Sequence, residues 1–250
     1  MNRSPLTVTI ITLNEELNLP RCLDSVSWAQ EVIVVDSGST DQTVEIARAR
    51  GAKVFINSWP GYGQQKNFAH SRASCEWVLN LDADEEVPTE LAVEIKQAIQ
   101  QTDIQGFSFP RKTFYLGRWI RYGGWYPNYL VRLARRKHSR WSEPNVHEEL
   151  LVQGKTSFLQ SPLNHYTFSS IQDQILTNVR YAKLGSEELK LAGHEASLLK
   201  MVLKPIGKFF ETYLIKRGFM DGLAGFIISV NAAHSMFLKY ANLFEAKLKK

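Results

Sequence analysis

The segment EVIVVDSGSTDQTVEIARARG, residues 31–51, decides the fold. Residues 31–36 are mostly β-branched and apolar and end on Asp36, the pattern of a buried strand. Residues 41–50 then switch to a helical period, with Val44, Ile46 and Ala47 on one side, Gly51 as the stop, and Ser39 or Thr40 placed to cap the first turn. Working outward, residues 7–12, 53–57 and 77–82 read as further strands with helices between them. Such alternation predicts an α/β fold, a mostly parallel sheet with helices on both faces. Open sheets of this kind bind ligands beyond the carboxyl ends of their strands. Two strands here end in acids, Asp36 and Asp82, so carboxylates are expected at that rim.

Further along, Pro88 and Thr89 open a helix reaching about residue 101, and residues 106–111 read as a strand. Residues 113–170 are rich in Trp, Tyr, Arg, Gly and Pro, with strand-like patches at 129–135 and 149–152 and no long helix. That composition builds pockets more than cores. From Ile171 the chain turns helical, and Pro205 and Gly218 are expected to divide it into at least three helices ending near Lys247. An α/β domain over 1–170 and a helical extension over 171–250 are therefore expected, without internal repeats or low-complexity stretches.

Bulk composition narrows the class. With 250 residues and 44% hydrophobic content, the chain has ample material for a buried core, which excludes a disordered chain. Cys22 and Cys75 stand in unrelated segments outside any CxxC spacing, so no disulfide framework is expected and a reducing, cytoplasmic compartment fits best. Arg3 precedes a short, threonine-punctuated apolar run that reads as a strand rather than a signal peptide. The formal charge is +5, yet residues 196–250 hold nine Lys or Arg against three acids, so the basic character belongs to the tail. Its lysines are interleaved with Leu, Ile, Phe and Met, which suits the anionic inner face of a membrane better than nucleic acid. The longest uncharged stretch, residues 222–238, contains Asn231, His234 and two serines and is short and polar for a membrane span. An interfacial helix is expected; the alternative is a helical hairpin packed on the sheet or on a second subunit, which would make a homo-oligomer.

The chemistry centres on Asp82-Ala83-Asp84, at the end of the apolar strand 77–82. Two carboxylates two positions apart can reach one divalent cation, and a hard oxygen site of this kind suits Mn2+ or Mg2+ bridging a diphosphate. Alone, the pattern is a common turn. Thr12-Leu13-Asn14-Glu15 and Asp36-Ser37-Gly38-Ser39-Thr40-Asp41 follow neighbouring strands and share the rim. Asp36 can accept from the imide N–H of uracil and Glu15 from a ribose hydroxyl, while the small residues after Asp36 let a flat base approach the backbone. The same small residues also make an ordinary turn and helix cap. Arg118, Arg121, Arg132 and Arg135, interleaved with Trp119, Trp125, Tyr126 and Tyr129, would grip a phosphorylated saccharide or else form a solvated basic face around a structural aromatic cluster.

Residues 7–55, Gln64-Gln65-Lys66-Asn67 and residues 81–85 together resemble glycosyltransferase family 2 in order and spacing. The resemblance implies a GT-A fold, a nucleotide-diphosphate sugar donor and an inverting displacement at the anomeric carbon. By motif position it implies that Thr12, Asn14, Glu15, Asp36, Ser37, Gly38 and Lys66 surround the nucleoside and its phosphates. Asp82 would face the ribose and the metal, and Asp84 would ligate the metal. Lys66 is equally readable as a surface helix residue. Gly123-Gly124-Trp125-Tyr126-Pro127, Arg132-Leu133-Ala134-Arg135, residues 143–148 and residues 218–222 are similar to the bacterial lipopolysaccharide core β-glucosyltransferases of the family. That narrower resemblance implies transfer of a hexose, glucose first, from a UDP sugar to a heptose of a lipid A core saccharide, with Arg132, Arg135 and His147 also binding substrate. Polyprenyl phosphate or a polysaccharide is the alternative acceptor, and a membrane-recruited, non-catalytic scaffold is the alternative class.

An inverting transfer needs a base for the acceptor hydroxyl. Glu148 stands where the family places it, with Glu149 and His147 as substitutes; otherwise these residues are a charged loop before a strand. His165 matches the position of a late histidine ligand in many GT-A enzymes, and an imidazole would favour Mn2+ over Mg2+.

Overall fold

The computed structural model describes residues 4–143, 148–195 and 197–248. The chain forms two compact units, Met1–Arg111 with Asn128–His165, and Lys112–Pro127 with Tyr166–Lys250.

The first unit begins with strands and helices in alternation: β1 (Ser4–Thr12), α1 (Leu19–Ser25), β2 (Ala29–Asp36), α2 (Thr43–Ala49), β3 (Lys53–Ile56), α3 (Tyr62–Arg72) and β4 (Trp77–Asp82). The short β5 (Glu85–Glu86) and α4 (Thr89–Ala98) follow, then β6 (Gly106–Tyr115), whose last residues enter the second unit together with β7 (Arg118–Ile120). The first unit resumes with β8 (Asn128–Arg135), β9 (Ser139–Trp141), β10 (Leu150–Val152), β11 (Thr156–Phe158) and β12 (Leu163–His165). Its sheet runs β3-β2-β1-β4-β8-β6-β12-β5, with β11 beside β6. β3, β2, β1 and β4 are parallel, whereas β8 is antiparallel to β4 and β6 antiparallel to β8. The sheet is thus more mixed than the sequence suggested. Helical crossovers enforce parallel neighbours, and the connection from β6 to β8 contains no helix.

Strand alternation sends β2 to both layers. Val34 joins Leu6, Val8 and Ile10 of β1, Leu79 and Leu81 of β4, and Leu91 and Ile95 of α4 in one core, while Ile33 and Val35 pack on Ala69 of α3. This two-sided burial explains the unbroken apolar run that identified β2. The cap of α2 differs from expectation. Its N-cap position falls on Gln42 without a side-chain cap; Asp41, just before it, accepts on Oδ1 from the Thr43 backbone N–H at 3.0 Å and the Thr43 hydroxyl at 2.5 Å, while Ser39 and Thr40 are drawn into the turn above Asp36.

In the second unit the end of β6 and β7 form a hairpin, Thr113 opposite Ile120, whose tip Leu116-Gly117 has φ of 50° and 76°. Positive φ at both tip residues matches the right-handed twist of the strands. Tyr115 and Ile120 bury against Ala224 and Ile228, and the Asp221 carboxylate accepts from the Tyr122 backbone N–H at 2.8 Å. These contacts put residues 112–127 with the tail, not with the sheet that flanks them in sequence. The tail comprises α5 (Ile171–Leu191), α6 (Leu198–Phe210), a π-turn (Glu211–Ile215), a 3-10 turn (Gly218–Asp221) and α7 (Gly222–Leu248). Pro205 lies inside α6 and does not end it; the preceding helix ends at Leu191 and α6 begins at Leu198. Gly218 does mark a break, and Gly225 packs so tightly on it that a Cβ at Gly225 would lie 1.8 Å from the Gly218 carbonyl oxygen. No described helix is long and apolar enough to cross a membrane.

Candidate functional site

Parallel pairing aligns Thr12 with Asp36 and Ile11 with Asp82, so β1, β2 and β4 present their carboxyl ends at one rim. Asp36 is fully buried there. Its Oδ1 accepts from the backbone N–H groups of Gly38 at 2.9 Å and Ser39 at 2.8 Å, and its Oδ2 from the Thr12 hydroxyl at 3.0 Å and the Ser39 hydroxyl at 2.5 Å. Gly38 takes φ of 100°, which glycine adopts without strain. Asn14, itself at φ 56°, fastens the far side: its N–H donates to Ser39 Oγ at 2.8 Å and its Oδ1 accepts from the Thr40 N–H at 2.9 Å. Gln65 of α3 donates to Ser37 Oγ at 3.0 Å. Asp36 therefore spends both oxygens on shaping the turn, and the expected acceptor for a uracil imide is enclosed by its own loop.

The second part of the site is a charge cluster below Asp82. Its Oδ1 lies 3.0 Å from Lys66 Nζ and its Oδ2 2.7 Å from Arg132 Nη2. Lys66 also reaches Glu148 Oε1 at 2.9 Å, and Arg132 shares Glu85 Oε1 with Arg111, each at 3.2 Å. Burial raises the cost of the Asp82 charge, but Arg132 and Lys66 outweigh it and hold the carboxyl well below the ordinary range. Burial likewise works against the Arg132 charge, which Asp82 and Glu85 retain. Three cations thus answer the three acids Asp82, Glu85 and Glu148.

Asp84 stands apart from that balance. Its Oδ2 lies 3.1 Å from His165 Nε2, and His165 Nδ1 is buried with no hydrogen-bond partner among the described residues. Burial first, and then the nearby charges of Asp84, Asp41 and Asp82, push the Glu15 carboxyl up, against a hydrogen bond from Asn18. A carboxylate oxygen and an imidazole nitrogen facing each other suit Mn2+ or a similar cation. Asp82, expected beside Asp84 on one cation, is engaged here by Lys66 and Arg132, while Asp84 faces His165. Among the described residues no group of three His, Cys, Asp or Glu converges, so the fit is that of two side chains needing further oxygens from a ligand or water.

Several residues escaped the sequence reading. Trp141 lies beneath both cations, its ring centroid 4.6 Å from Lys66 Nζ and 5.7 Å from Arg132 Cζ. Asn80 holds that ring, accepting from Trp141 Nε1 at 3.1 Å, and Asn67 clamps the Trp141 backbone, accepting from its N–H at 2.8 Å and donating to its carbonyl at 3.0 Å. Asn67 belongs to the quoted Gln-Gln-Lys-Asn motif; Trp141 and Asn80 carry no spacing signal. Arg135 is not brought to the site. It pairs with Trp77 at the opposite end of β4 and binds Glu76 and the Ile104 carbonyl. Arg118 is tied to Asp221 within the second unit, its Nη1 donating to the Asp221 carbonyl at 2.8 Å. Arg121 and Tyr122 give Asp221 their backbone N–H groups. His147 lies outside the described residues. Glu149, the substitute base, has its N–H bonded to Ser142 Oγ at 2.8 Å and forms no ion pair with Lys66.

The chain matches the profile of glycosyl transferase family 2 over residues 7–165. It is 32% identical over 265 residues to an uncharacterized glycosyltransferase of Rickettsia conorii, covering 100% of this chain and 94% of that one. It is 28% identical over 254 residues to the lipopolysaccharide core biosynthesis glycosyltransferase LpsC of Rhizobium meliloti, covering 96% and 92%. Among solved structures, glucosyl-3-phosphoglycerate synthase from Mycobacterium tuberculosis, in complex with Mn2+, UDP and phosphoglyceric acid, aligns with a TM-score of 0.49 at 20% identity, covering 72% of this chain and 76% of that chain. The chain belongs to glycosyl transferase family 2. It is a glycosyltransferase with the GT-A-like fold of that family.

Proposed function

We propose that this glycosyltransferase moves a hexose, glucose first, from a UDP sugar to a heptose of a lipid-linked lipopolysaccharide core saccharide, inverting the anomeric carbon. The observation that carries the reading is the buried Lys66 ammonium joining Asp82, at the end of β4, to Glu148, 82 residues from Lys66 in the chain. It gathers a candidate base and a phosphate-binding cation at the strand rim where the Asp36 turn offers a flat seat for a base. The lipopolysaccharide core relative, similar across nearly the whole chain, supports the acceptor class.

In this mechanism the turn made by Asp36, Ser37, Gly38 and Ser39 supports the nucleoside, with Thr12 and Asn14 fixing its shape and Glu15 reaching a ribose hydroxyl. Lys66 and Arg132 meet the diphosphate's charge, and Asp82 keeps both positioned. A divalent cation on Asp84 and His165 would neutralise the leaving diphosphate as the glycosidic bond to it breaks. Glu148 takes the proton from the acceptor hydroxyl as that oxygen attacks the anomeric carbon. A donor phosphate competes with Glu148 for Lys66, which frees the carboxylate for that role.

The test is transfer from a panel of UDP and GDP sugars to lipid A core or to polyprenyl phosphate, with and without a chelator. Chelator-sensitive transfer from UDP-glucose to the core saccharide is expected. Product on polyprenyl phosphate alone would move the acceptor assignment, and UDP binding without turnover on any acceptor would leave a nucleotide-sugar-binding scaffold.

A further inference from the structure

Helix α6 carries more apolar surface than its own unit covers. Its inner side is accounted for: Phe209 stacks on Tyr213 at 5.4 Å, and both rings meet Phe226 of α7 edge-on at 6.0 and 5.8 Å. A second face is not. Leu199, Val202, Leu203, Ile206, Phe210 and Leu214 recur three or four residues apart, and each is between 48% and 67% exposed. An amphipathic helix with one packed side has no structural use for a second apolar stripe.

Charge identifies what would cover it. Lys200 lies at one edge of the stripe and Lys204 just beyond it, while Lys208 falls on the opposite side of the helix. Lys208 is paired with Glu211 at 3.1 Å, whereas Lys200 and Lys204 have no ion pair among the described residues. A second copy of the chain seated antiparallel on this stripe by a two-fold axis would bring Lys200 and Lys204 to the same side as their equivalents, with like charges opposed. An anionic bilayer opposes them with phosphate, and long lysine stems let the ammonium groups rise to the headgroups while the stripe enters the acyl boundary. Since no described helix is long and apolar enough to span, the helix would lie in the interface.

We propose that α6 and the π-turn after it dock flat on an anionic lipid surface, with Leu199, Leu203, Ile206 and Phe210 inserted and Lys200 and Lys204 on lipid phosphate. This surface is independent of the donor reading, since docking involves no nucleotide sugar.

Sedimentation of the full chain with vesicles tests it, using equal parts phosphatidylglycerol and phosphatidylcholine against phosphatidylcholine alone. The wild type is expected to bind the anionic vesicles about tenfold or more tightly than the neutral ones. Leu203→Glu with Ile206→Glu should lower anionic binding by about tenfold or more at an unchanged melting temperature. Lys200→Glu with Lys204→Glu should remove the anionic preference while leaving neutral binding as it was. Equal binding to both vesicles by the wild type, or unchanged anionic binding by the Leu203 and Ile206 variant, would overturn the proposal. A dimer in solution that this variant converts to monomers without altering vesicle binding would assign the face to a second copy and overturn it as well.

Discussion

Lys66 holds two carboxylates with one buried ammonium over the Trp141 ring, and Arg132 does the same for Asp82 and Glu85. Within that cluster charges balance, so an incoming diphosphate would bring an excess of negative charge. Asp84 and Glu15, on the uncompensated side, are where an added cation would be most stabilised. Asp84→Ala is therefore predicted to lower the rate of transfer by about a hundredfold or more and to abolish the dependence of UDP affinity on Mn2+. Titration calorimetry with and without the metal reads this directly, and an undiminished metal effect would remove Asp84 from the cation site. The acids of this site were legible because strand ends and a rim make their placement calculable. Asp82's engagement with Lys66 and Arg132 was not, because neither cation lies near it in sequence: Arg132 arrives through the tertiary pairing of β8 with β4 and Lys66 through the packing of α3.

At the scale of elements, α3 is seated against the loop after β9 by the absence of a side chain. A Cβ on Gly63 would lie 2.2 Å from the Ser142 carbonyl oxygen and 3.1 Å from the Glu143 Cα. Gly63→Ala is predicted to destabilise the protein by about 1–3 kcal/mol and to loosen the Asn67 clamp on Trp141. Denaturant titration gives the first quantity, and faster amide exchange at Trp141 gives the second; unchanged values for both would show that the loop yields freely. β2 was readable because burial on both faces leaves an unbroken apolar run, and β1 and β4 because their runs are broken only by the buried Thr7, Thr9 and Asn80. The antiparallel half of the sheet was readable only as isolated patches. Its short strands take their direction from the loops joining them, and residues 112–127 join the helical unit through the Asp221 contacts rather than by any local pattern. Pro205 misled because a proline marks a helix break only when nothing else holds the helix, and the Phe209, Tyr213 and Phe226 rings hold this one.

For the molecule as a whole, acid stability should reflect Glu31, far from the site. Burial pushes its carboxyl up, but the Lys53 ammonium at 2.7 Å, the Thr7 hydroxyl at 2.6 Å and the Ser74 N–H and hydroxyl outweigh that and lower it from 4.5 to about 2. A lowered carboxyl stabilises the fold fully above its unfolded value and loses that contribution as pH falls through the folded one. Glu31→Gln is predicted to cost about 1.5–3 kcal/mol at neutral pH, with the difference from wild type shrinking below pH 4.5 and vanishing toward pH 2. Melting temperatures of both proteins across that range check it, and a constant gap would contradict it.

In the proposed reaction Glu148 is the base of a donor site whose other parts bind without it. Glu148→Gln keeps the shape of the side chain and removes its charge, so its donor affinity and its transfer rate should separate. The predicted result is a fall in kcat of about a thousandfold or more, with the Kd for the UDP sugar changed by less than about threefold. Transfer retained near the wild-type rate would contradict the account, and so would loss of donor binding in proportion to the loss of rate.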